Sequence, residues 1–306
     1  MIVLITGSNG FIGRAISLRM QKENYIVYEW SREGLFLNNS KIQSFAIEKP
    51  EDAEKVLLIA KPDIVMHCAG SADVNYSVQH PYEDLSSNYI TTHNILFAMK
   101  KTGVTSRFVL FSSAAVYGNP VKLPMSEEEP IHPLSPYALH KRAAEEVCLY
   151  MNKNYHIDVK ILRLFSVYGP GLKKQIFWDM HHKVKESGRL NLMGSGEESR
   201  DYIYIDDLVE ATILVALDEG RDIIYNIANG EETTIYKAAM TFAKYMKIPQ
   251  ELVTFSGRRR EGDPINWCAD ITKLKMLGYK RKYSFEDGVG KYVDWLDGFK
   301  TSINNI

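Results

Sequence analysis

The chain begins with a short apolar run that is followed by glycines and then by a helical repeat. Residues 2–6 read Ile-Val-Leu-Ile-Thr, which is typical of a strand buried on both faces of a parallel sheet. Gly7, Gly10 and Gly13 come next, and a helical pattern then continues to Glu23. The order strand, glycine-rich turn, helix predicts the first unit of an α/β fold.

Further strands and helices alternate through the first half of the chain. Apolar runs predict four more strands, at 25–30, 63–68, 107–111 and 158–164. Apolar stripes with helical spacing predict helices at 50–60 and 82–101. This alternation predicts a doubly wound parallel sheet of the Rossmann type, with helices on both faces and right-handed crossovers.

Composition and charge narrow the classes of function. The chain has 306 residues, of which 45% are hydrophobic and 25% charged. Its net charge of −1 gives no field that would attract nucleic acid or an anionic membrane. No apolar run is long enough to span a bilayer, and we expect a cytoplasmic protein. Cys68, Cys148 and Cys268 lack metal-site spacing, so neither disulfides nor a metal site is predicted.

The glycines after the first strand have a spacing that suits a dinucleotide. The segment Gly7-Ser8-Asn9-Gly10-Phe11-Ile12-Gly13 follows a strand and opens a helix, which is the context that this motif requires. The first glycine permits a tight turn, the second lets the backbone approach a pyrophosphate, and the third allows close helix–strand packing. Ala69 and Gly70, after the third predicted strand, are small enough to lie against the same cofactor.

The end of the second predicted strand bears on which dinucleotide is bound. NAD-binding proteins carry an acidic residue here that accepts the ribose hydroxyls, but the position holds Trp30, with Glu29 one residue earlier. Ser31 and Arg32 follow, and a planar guanidinium suits a 2′-phosphate. We therefore favour NADP(H) over NAD(H).

The alternation becomes less regular after residue 165, which divides the chain into two parts. We expect residues 1–165 and 201–227 to form an NAD(P)-binding Rossmann domain. Residues 166–200 and 228–306 are expected to form a smaller, mixed α/β substrate domain. A substrate would then bind in the cleft between the two domains.

A tyrosine and a lysine four residues apart provide candidate chemistry. In Ser135-Pro136-Tyr137-Ala138-Leu139-His140-Lys141, the serine suits a helix N-cap and the proline suits the first turn. Tyr137 and Lys141 then share one helix face, where the ammonium is expected to lower the pKa of the phenol. That would make Tyr137 a general acid and base near neutral pH. Ser113 follows another predicted strand, at the sheet edge where ligands bind.

Together these elements resemble the extended short-chain dehydrogenase/reductase family, in its branch of NAD(P)-dependent nucleotide-sugar epimerases and dehydratases. The resemblance rests on the three glycines, Ser113, the Tyr137–Lys141 pair, and Arg200-Asp201-Tyr202 before Asp206-Asp207. These motifs occur in the family's order and span almost the whole chain.

The resemblance implies a role for each matching residue. Tyr137 would exchange a proton with a sugar hydroxyl or carbonyl, Lys141 would hold the nicotinamide ribose, and Ser113 would hydrogen-bond the same sugar oxygen. Asn88 resembles a helix asparagine that orients the active-site network. Besides Ser113, the residues expected to contact the nucleotide-sugar are Ser166, Arg200, Arg260 and Asp263.

Two departures from the family pattern bear on the reaction. Dehydratases of the family place an acidic pair directly after the catalytic serine or threonine, and decarboxylating relatives keep an acid there. Here these positions are Ala114 and Ala115, which cannot transfer protons, so dehydration and decarboxylation are disfavoured. Ser166 stands where many members have asparagine, so the sugar cannot be inherited from the best-known epimerases.

The resemblance implies hydride transfer at C4 of a nucleotide-diphosphate sugar. We expect an NDP-4-keto-6-deoxysugar 4-reductase, because Ser31-Arg32 favours the NADP(H) that a reductase exchanges and residues 267–279 look like those of such reductases. The alternative is an NDP-sugar 4-epimerase similar to UDP-glucose 4-epimerase, which recycles tightly held NAD. A non-catalytic dinucleotide sensor is disfavoured, since Ser113, Tyr137 and Lys141 are all present. The resemblance also implies a homodimer formed through the helix 82–101 and the Tyr137 helix.

Overall fold

A computed structural model describes residues 1–37, 40–47, 49–258 and 265–303. The strands within these residues are β1 (Ile2–Thr6), β2 (Ile26–Ser31), β3 (Gly34–Leu37), β4 (Ser40–Gln43), β5 (Ile64–His67), β6 (Arg107–Ser113), β7 (Val159–Leu164), β8 (Ser166–Tyr168), β9 (Leu190–Leu192), β10 (Ser199–Tyr204), β11 (Ile224–Ile227), β12 (Glu232–Thr234) and β13 (Val253–Phe255).

The α-helices alternate with these strands over the same part of the chain. They are α1 (Phe11–Lys22), α2 (Pro50–Ala60), α3 (Val74–Gln79), α4 (Pro81–Leu85), α5 (Thr91–Thr102), α6 (Pro136–Tyr155), α7 (Gln175–Ser187), α8 (Ile205–Leu217), α9 (Ile235–Tyr245), α10 (Thr272–Met276) and α11 (Phe285–Ile303). A π-helical segment covers Ser86–Ile90, and short 3-10 turns cover Ala114–Tyr117 and Gln250–Leu252. In the described residues, no helix is long and apolar enough to cross a membrane.

Eight strands form one large sheet in the order β11-β7-β6-β5-β1-β2-β3-β4. All neighbours from β11 to β2 pair in parallel, which confirms the predicted α/β fold with a large parallel sheet. In β1, Leu4 packs into one hydrophobic core, and Val3 and Ile5 pack into a second core on the opposite face. Burial on both faces explains the continuous apolar run at the start of the chain.

One edge of the large sheet differs from the prediction. β3 pairs antiparallel with β2, and β4 pairs antiparallel with β3, in a segment for which no strand was predicted. Arg32 and Glu33 form a two-residue turn between Ser31 and Gly34, and Gly34 has a φ of +130°. This turn returns the chain directly beside β2 instead of sending it through a crossover helix.

The second half of the chain adds two smaller sheets. One has the order β12-β10-β8, and the other pairs β13 with β9. Asp201 of β10 is fully buried and accepts the backbone N–H groups of Asn229, Gly230 and Ala269 at 2.9, 2.9 and 3.1 Å. This carboxylate therefore joins β10 to two later segments of the chain. β11, in contrast, returns to the large sheet beside β7.

The predicted helix at 82–101 contains a local distortion. It is found as α4, the π-helical segment and α5 in direct succession. Asn88 lies inside the π-helical segment. Segments of this kind widen the helix by one residue per turn and often occur at functional sites. The distortion therefore directs attention to the surroundings of Asn88.

A buried ion pair fixes α6 against the large sheet. Glu145 of α6 and Arg163 of β7 are 0% and 2% exposed, and their side chains share hydrogen bonds of 3.0 and 2.9 Å. Glu145 also accepts the Ser112 hydroxyl of β6 at 2.6 Å. Arg163 donates to the Tyr117 hydroxyl and the Glu127 carbonyl, both at 2.9 Å. Because these groups are removed from water, each depends on the others for its hydrogen bonds.

Glu145→Ala should lower the free energy of unfolding by about 3–5 kcal/mol, because it leaves the Arg163 guanidinium buried without its counter-charge. Urea unfolding followed by circular dichroism measures the change. Glu146→Ala is the matched control, since the neighbouring side chain is 56% exposed and should contribute less than about 1 kcal/mol. Equal losses in the two variants would contradict this account of the pair.

Candidate active site

The glycine-rich segment after β1 forms a cradle with room for a pyrophosphate. Gly7 has a φ of +67°, and its N–H donates to the Trp30 carbonyl of β2 at 2.8 Å. A Cβ on Gly13 would lie 2.4 Å from the Gly7 oxygen, so α1 reaches this turn only with glycine there. A Cβ on Gly10, the N-cap of α1, would meet the Gly7 oxygen at 3.1 Å and otherwise open space. The cradle therefore fits a dinucleotide, with its pyrophosphate at the N-terminus of α1.

Three side chains of the same segment flank the cradle. The Asn9 amide donates to the Ser31 hydroxyl at 3.3 Å, which joins the cradle to the end of β2. Phe11 and Ile12 are half-buried and pack against one of the hydrophobic cores. A Cβ on Gly171 would lie 3.6 Å from the Phe11 ring. The cradle thus borders the loop that follows β8.

Ser31, and not Trp30, is the residue that β2 presents to the cradle. The Trp30 ring is fully buried and donates to a backbone carbonyl at 3.1 Å. Glu29 accepts the Ser17 hydroxyl of α1 at 2.6 Å. Arg32 is exposed directly after Ser31. The end of β2 therefore presents a hydroxyl to the cradle, and an exposed guanidinium follows it.

The small residues after β5 lie between the cradle and the candidate catalytic residues. A Cβ on Gly7 would lie 2.7 Å from the Ala69 nitrogen. Gly70 has a φ of +151°, and a Cβ there would lie 2.5 Å from Asn88 Oδ1 and 3.3 Å from Lys141 Nζ. Gly7 and Gly70 therefore have no room for a side chain, and the segment after β5 lies close against the cradle.

α6 brings the candidate catalytic residues together. Ser135 caps the helix with its side chain, as its sequence predicts. The Ser113 hydroxyl at the end of β6 lies near enough to the Tyr137 phenol to lower its pKa. Lys141 Nζ lies 6.0 Å from the centre of the Tyr137 ring and donates to the Phe111 carbonyl at 2.8 Å. The three candidate side chains thus lie together, and Lys141 connects them to Gly70 beside the cradle.

Burial controls the ionisation of these residues. It raises the pKa of Tyr137 to about 12, against a smaller lowering by the Ser113 hydroxyl. The expectation of a lowered phenol pKa is therefore wrong, because desolvation disfavours the charged phenolate and the charge of Asp84 disfavours it further. Burial also lowers the pKa of Lys141 to about 8, while the charge of Asp84 raises it. The charged and neutral forms of Lys141 are therefore both populated near pH 8.

Two buried side chains beside this group were not predicted from the sequence. Asp84 of α4 is fully buried, and its Oδ2 lies 2.7 Å from Nδ1 of His140 on α6. Its Oδ1 accepts the Nδ2–H of Asn88 at 3.0 Å. The helical spacing of Asp84 and Asn88 and the adjacency of His140 and Lys141 were available signals. That the two pairs meet depends on the packing of α4 against α6, which spacing alone does not give.

The residues predicted to contact a nucleotide-sugar are described in part. Ser166 is half-buried at the start of β8 and pairs with Tyr202 of β10. Arg200, also on β10, has its guanidinium 5.6 Å from the centre of the Trp267 ring. Ser166 and Arg200 therefore lie on adjacent strands of the three-stranded sheet. Two further predicted contacts, Arg260 and Asp263, lie outside the described residues.

Known proteins share this combination of fold and motifs. A model of the NAD dependent epimerase/dehydratase family matches residues 3–228. The chain belongs to this family. It is an enzyme of the extended short-chain dehydrogenase/reductase type, which confirms the resemblance predicted from the motifs.

Individual relatives cover nearly all of the chain. UDP-glucuronate 4-epimerase 5 of Arabidopsis thaliana is 30% identical over 339 residues, which cover 98% of this chain and 76% of that protein. The structure of a Thermotoga maritima UDP-glucose 4-epimerase with UDP-glucose has a TM-score of 0.87 at 27% identity, covering 98% of this chain and 100% of that one. A Thermus thermophilus UDP-glucose 4-epimerase in complex with NAD has a TM-score of 0.84 at 26% identity, covering 97% and 99%.

Gly10→Ala should weaken dinucleotide binding by roughly tenfold or more while leaving thermal stability nearly unchanged, because the added methyl group enters the space for the pyrophosphate. Calorimetric titration with NAD⁺ and thermal unfolding measure the two effects. Gly13→Ala is the comparison, and should lower both affinity and stability, since its methyl group would meet the Gly7 oxygen at 2.4 Å. Wild-type affinity in Gly10→Ala would contradict the assignment of the cradle.

Proposed function

We propose that this enzyme is a nucleotide-diphosphate-sugar 4-epimerase, acting on a UDP-hexose. The observation that carries the proposal is the grouping of Ser113, Tyr137 and Lys141, with Lys141 Nζ 6.0 Å from the centre of the Tyr137 ring and beside Gly70, next to the dinucleotide cradle. The 4-epimerases that match nearly all of this chain support it. The proposal replaces the 4-keto-6-deoxysugar reductase that the sequence analysis preferred.

Tyr137 supplies the acid–base part of the reaction. Its phenolate would take the proton of the C4 hydroxyl, and the resulting phenol would return that proton after the sugar has turned its other face. The Ser113 hydroxyl, which lies near the phenol, would hold the same sugar oxygen. The Lys141 ammonium would stabilise the phenolate and bind the nicotinamide ribose beside Gly70. A dinucleotide, when bound, would supply the redox chemistry, which is the removal of a hydride from C4 of the sugar and its return to that carbon.

The turn after Ser113 supports epimerisation over elimination of water. Ala114 is fully buried, and the Ala115 N–H donates to the Ser113 oxygen at 3.1 Å. Neither methyl side chain can move a proton at the positions where dehydratases of the family carry acids. A sugar held by Ser113 would therefore exchange a proton with Tyr137 and not with this turn.

The proposal assigns each part of the chain to one ligand. Residues 1–165 and 201–227 would bind the dinucleotide, and residues 166–200 and 228–306 the nucleotide-sugar. The position of the cradle on β1 and α1, within the large sheet, supports the first assignment. Ser166 and Arg200 on the three-stranded sheet support the second, to which Arg260 and Asp263 would add contacts.

A homodimer formed through α4, α5 and α6 completes the proposal. Leu139 and Tyr150 of α6 are 56% and 51% exposed, and their spacing places them on one helix face. Tyr82 of α4 is 77% exposed. Large apolar side chains grouped on one surface are typical of a face that another chain covers. A second copy of this chain would cover it symmetrically.

A specific observation keeps the reductase as a second candidate. Arg32 is exposed beside the Asn9–Ser31 contact, where a 2′-phosphate would lie. A reductase exchanges NADP(H) at each turnover, whereas an epimerase retains its dinucleotide. Arg32 therefore supports NADP(H), and the family description and the Thermus structure support NAD.

Tyr137→Phe should lower kcat for C4 epimerisation by about 10²–10⁴-fold and leave dinucleotide affinity close to that of the wild type, because it removes only the acid–base group. The assay follows interconversion of UDP-glucose with UDP-galactose and of UDP-glucuronate with UDP-galacturonate. Tyr150→Phe, on the exposed side of the same helix, is the control and should retain full activity. A wild-type enzyme that converts neither pair but reduces an NDP-4-keto-6-deoxysugar with NADPH would favour the second candidate instead.

Arg32→Ala should weaken NADPH binding by roughly tenfold and leave NADH binding unchanged, because the guanidinium contacts only the 2′-phosphate. Fluorescence titration with each reduced dinucleotide gives the two affinities. Glu33→Gln, the neighbouring exposed residue in the same turn, should change neither. If Arg32→Ala weakens both dinucleotides equally, or neither, the assignment of Arg32 is wrong.

A further inference from the structure

A single buried carboxylate joins three elements behind the candidate catalytic residues. Asp84 of α4 is fully buried, with Oδ2 2.7 Å from His140 Nδ1 on α6. Its Oδ1 accepts the Nδ2–H of Asn88, in the π-helical segment, at 3.0 Å. His140 directly precedes Lys141. One carboxylate therefore links the asparagine to the helix that carries the lysine.

The bond to Asp84 decides which way the Asn88 amide faces. A carboxylate only accepts hydrogen bonds, so the amide must present its NH₂ group to Asp84. Its oxygen then faces Gly70 and Lys141: a Cβ on Gly70 would lie 2.5 Å from Asn88 Oδ1 and 3.3 Å from Lys141 Nζ. This oxygen is buried and has no hydrogen-bond partner among the residues that the structure describes. A buried acceptor of this kind costs stability until a donor reaches it.

We propose that Asp84 and His140 are positioning residues for the lysine end of the site. Asp84, held in place by His140, turns the Asn88 oxygen toward Lys141, where the oxygen stabilises the charged ammonium and limits its movement. The inference rests on the proposed function in one respect, which is that a charged Lys141 assists Tyr137.

The charges around Lys141 make its charged fraction sensitive to the orientation of the Asn88 amide. Burial lowers the pKa of Lys141 to about 8, and Asp84 is the largest of the charges that raise it. The other titratable groups that face the ammonium are Cys68 and Glu145, which raise its pKa, Lys174, which lowers it, the buried phenol of Tyr137 and the neutral ring of His67. With the pKa so near neutrality, the loss of one carboxylate changes the charged fraction of Lys141 at the pH of an assay.

Asp84→Asn tests the orientation directly. His140 Nδ1–H would occupy the oxygen of the new amide, so its NH₂ group would face Asn88 and force that amide to turn round. We expect kcat to fall by about 10- to 100-fold, and the pKa of Lys141 to fall by about one unit. The alkaline limb of the pH–rate profile should then move to lower pH. NMR titration of protein labelled with [¹³C]lysine measures the pKa without requiring turnover.

The exchange of the two side chains should reverse the effect. In Asp84→Asn combined with Asn88→Asp, the amide at position 84 donates to the carboxylate at position 88, whose other oxygen faces Lys141. Most of the lost activity and the Lys141 pKa should return. A merely structural role for Asp84 predicts no such recovery, because the double variant replaces two buried residues instead of one.

Glu83→Gln is the matched control, since this neighbouring side chain of α4 is exposed and should change neither kcat nor the Lys141 pKa. Thermal unfolding checks that each variant is folded, and His140→Gln, which removes only the support of Asp84, should give a smaller shift in the same direction. An unchanged Lys141 pKa in the folded single variants, or a double variant no better than Asp84→Asn, would overturn the proposal. Wild-type protein inactive on every sugar would contradict only the proposed function, because the NMR titration is independent of turnover.

Discussion

The buried ion pair between Glu145 and Arg163 is the interaction on which the geometry of the site depends. Tyr137, Lys141 and Glu145 follow one another at intervals of four along α6, so they form one stripe on the helix. Glu145 is anchored to β6 through Ser112 and to β7 through Arg163, which prevents the helix from rotating about its axis. The phenol and the ammonium therefore take their positions from a third residue on the same face of the helix.

The same burial that makes this stripe rigid works against its chemistry. Desolvation favours the neutral form of every ionisable group, so it raises the pKa of Tyr137 and lowers that of Lys141. Acid–base work near neutral pH needs the opposite shifts. Neighbouring charges must supply them, and Asp84 and Glu145 are the carboxylates that counteract burial at Lys141. The Glu145–Arg163 pair and the buried Asp84 thus serve one purpose, which is to keep Lys141 charged although it is buried.

Features that depend on local chain geometry could be predicted from the sequence, and features that depend on packing could not. The strand Ile2–Thr6 and the glycine cradle follow from apolar runs and from the absence of a Cβ. The cap at Ser135 follows from its side-chain oxygen. The prediction of a lowered pKa for Tyr137 was wrong because the sequence shows that a lysine is near but not how deeply the phenol is buried. The antiparallel β3–β4 edge was not predicted, because a turn of only two residues at Arg32 hardly changes the pattern of apolar positions.

The catalytic residues cannot by themselves separate an epimerase from a reductase, because both reactions need one tyrosine to exchange a proton at the same sugar oxygen. The difference lies in whether the dinucleotide leaves after hydride transfer, and that depends on contacts remote from Tyr137. In this chain two places remote from Tyr137 border the cradle: the Asn9–Ser31 bond joins it to β2, and Phe11 borders Gly171. The first is open to an exposed Arg32, and the second joins the cradle to the loop after β8. Retention of a dinucleotide would therefore have to depend on the second place, since an exposed guanidinium binds a phosphate only weakly in salt.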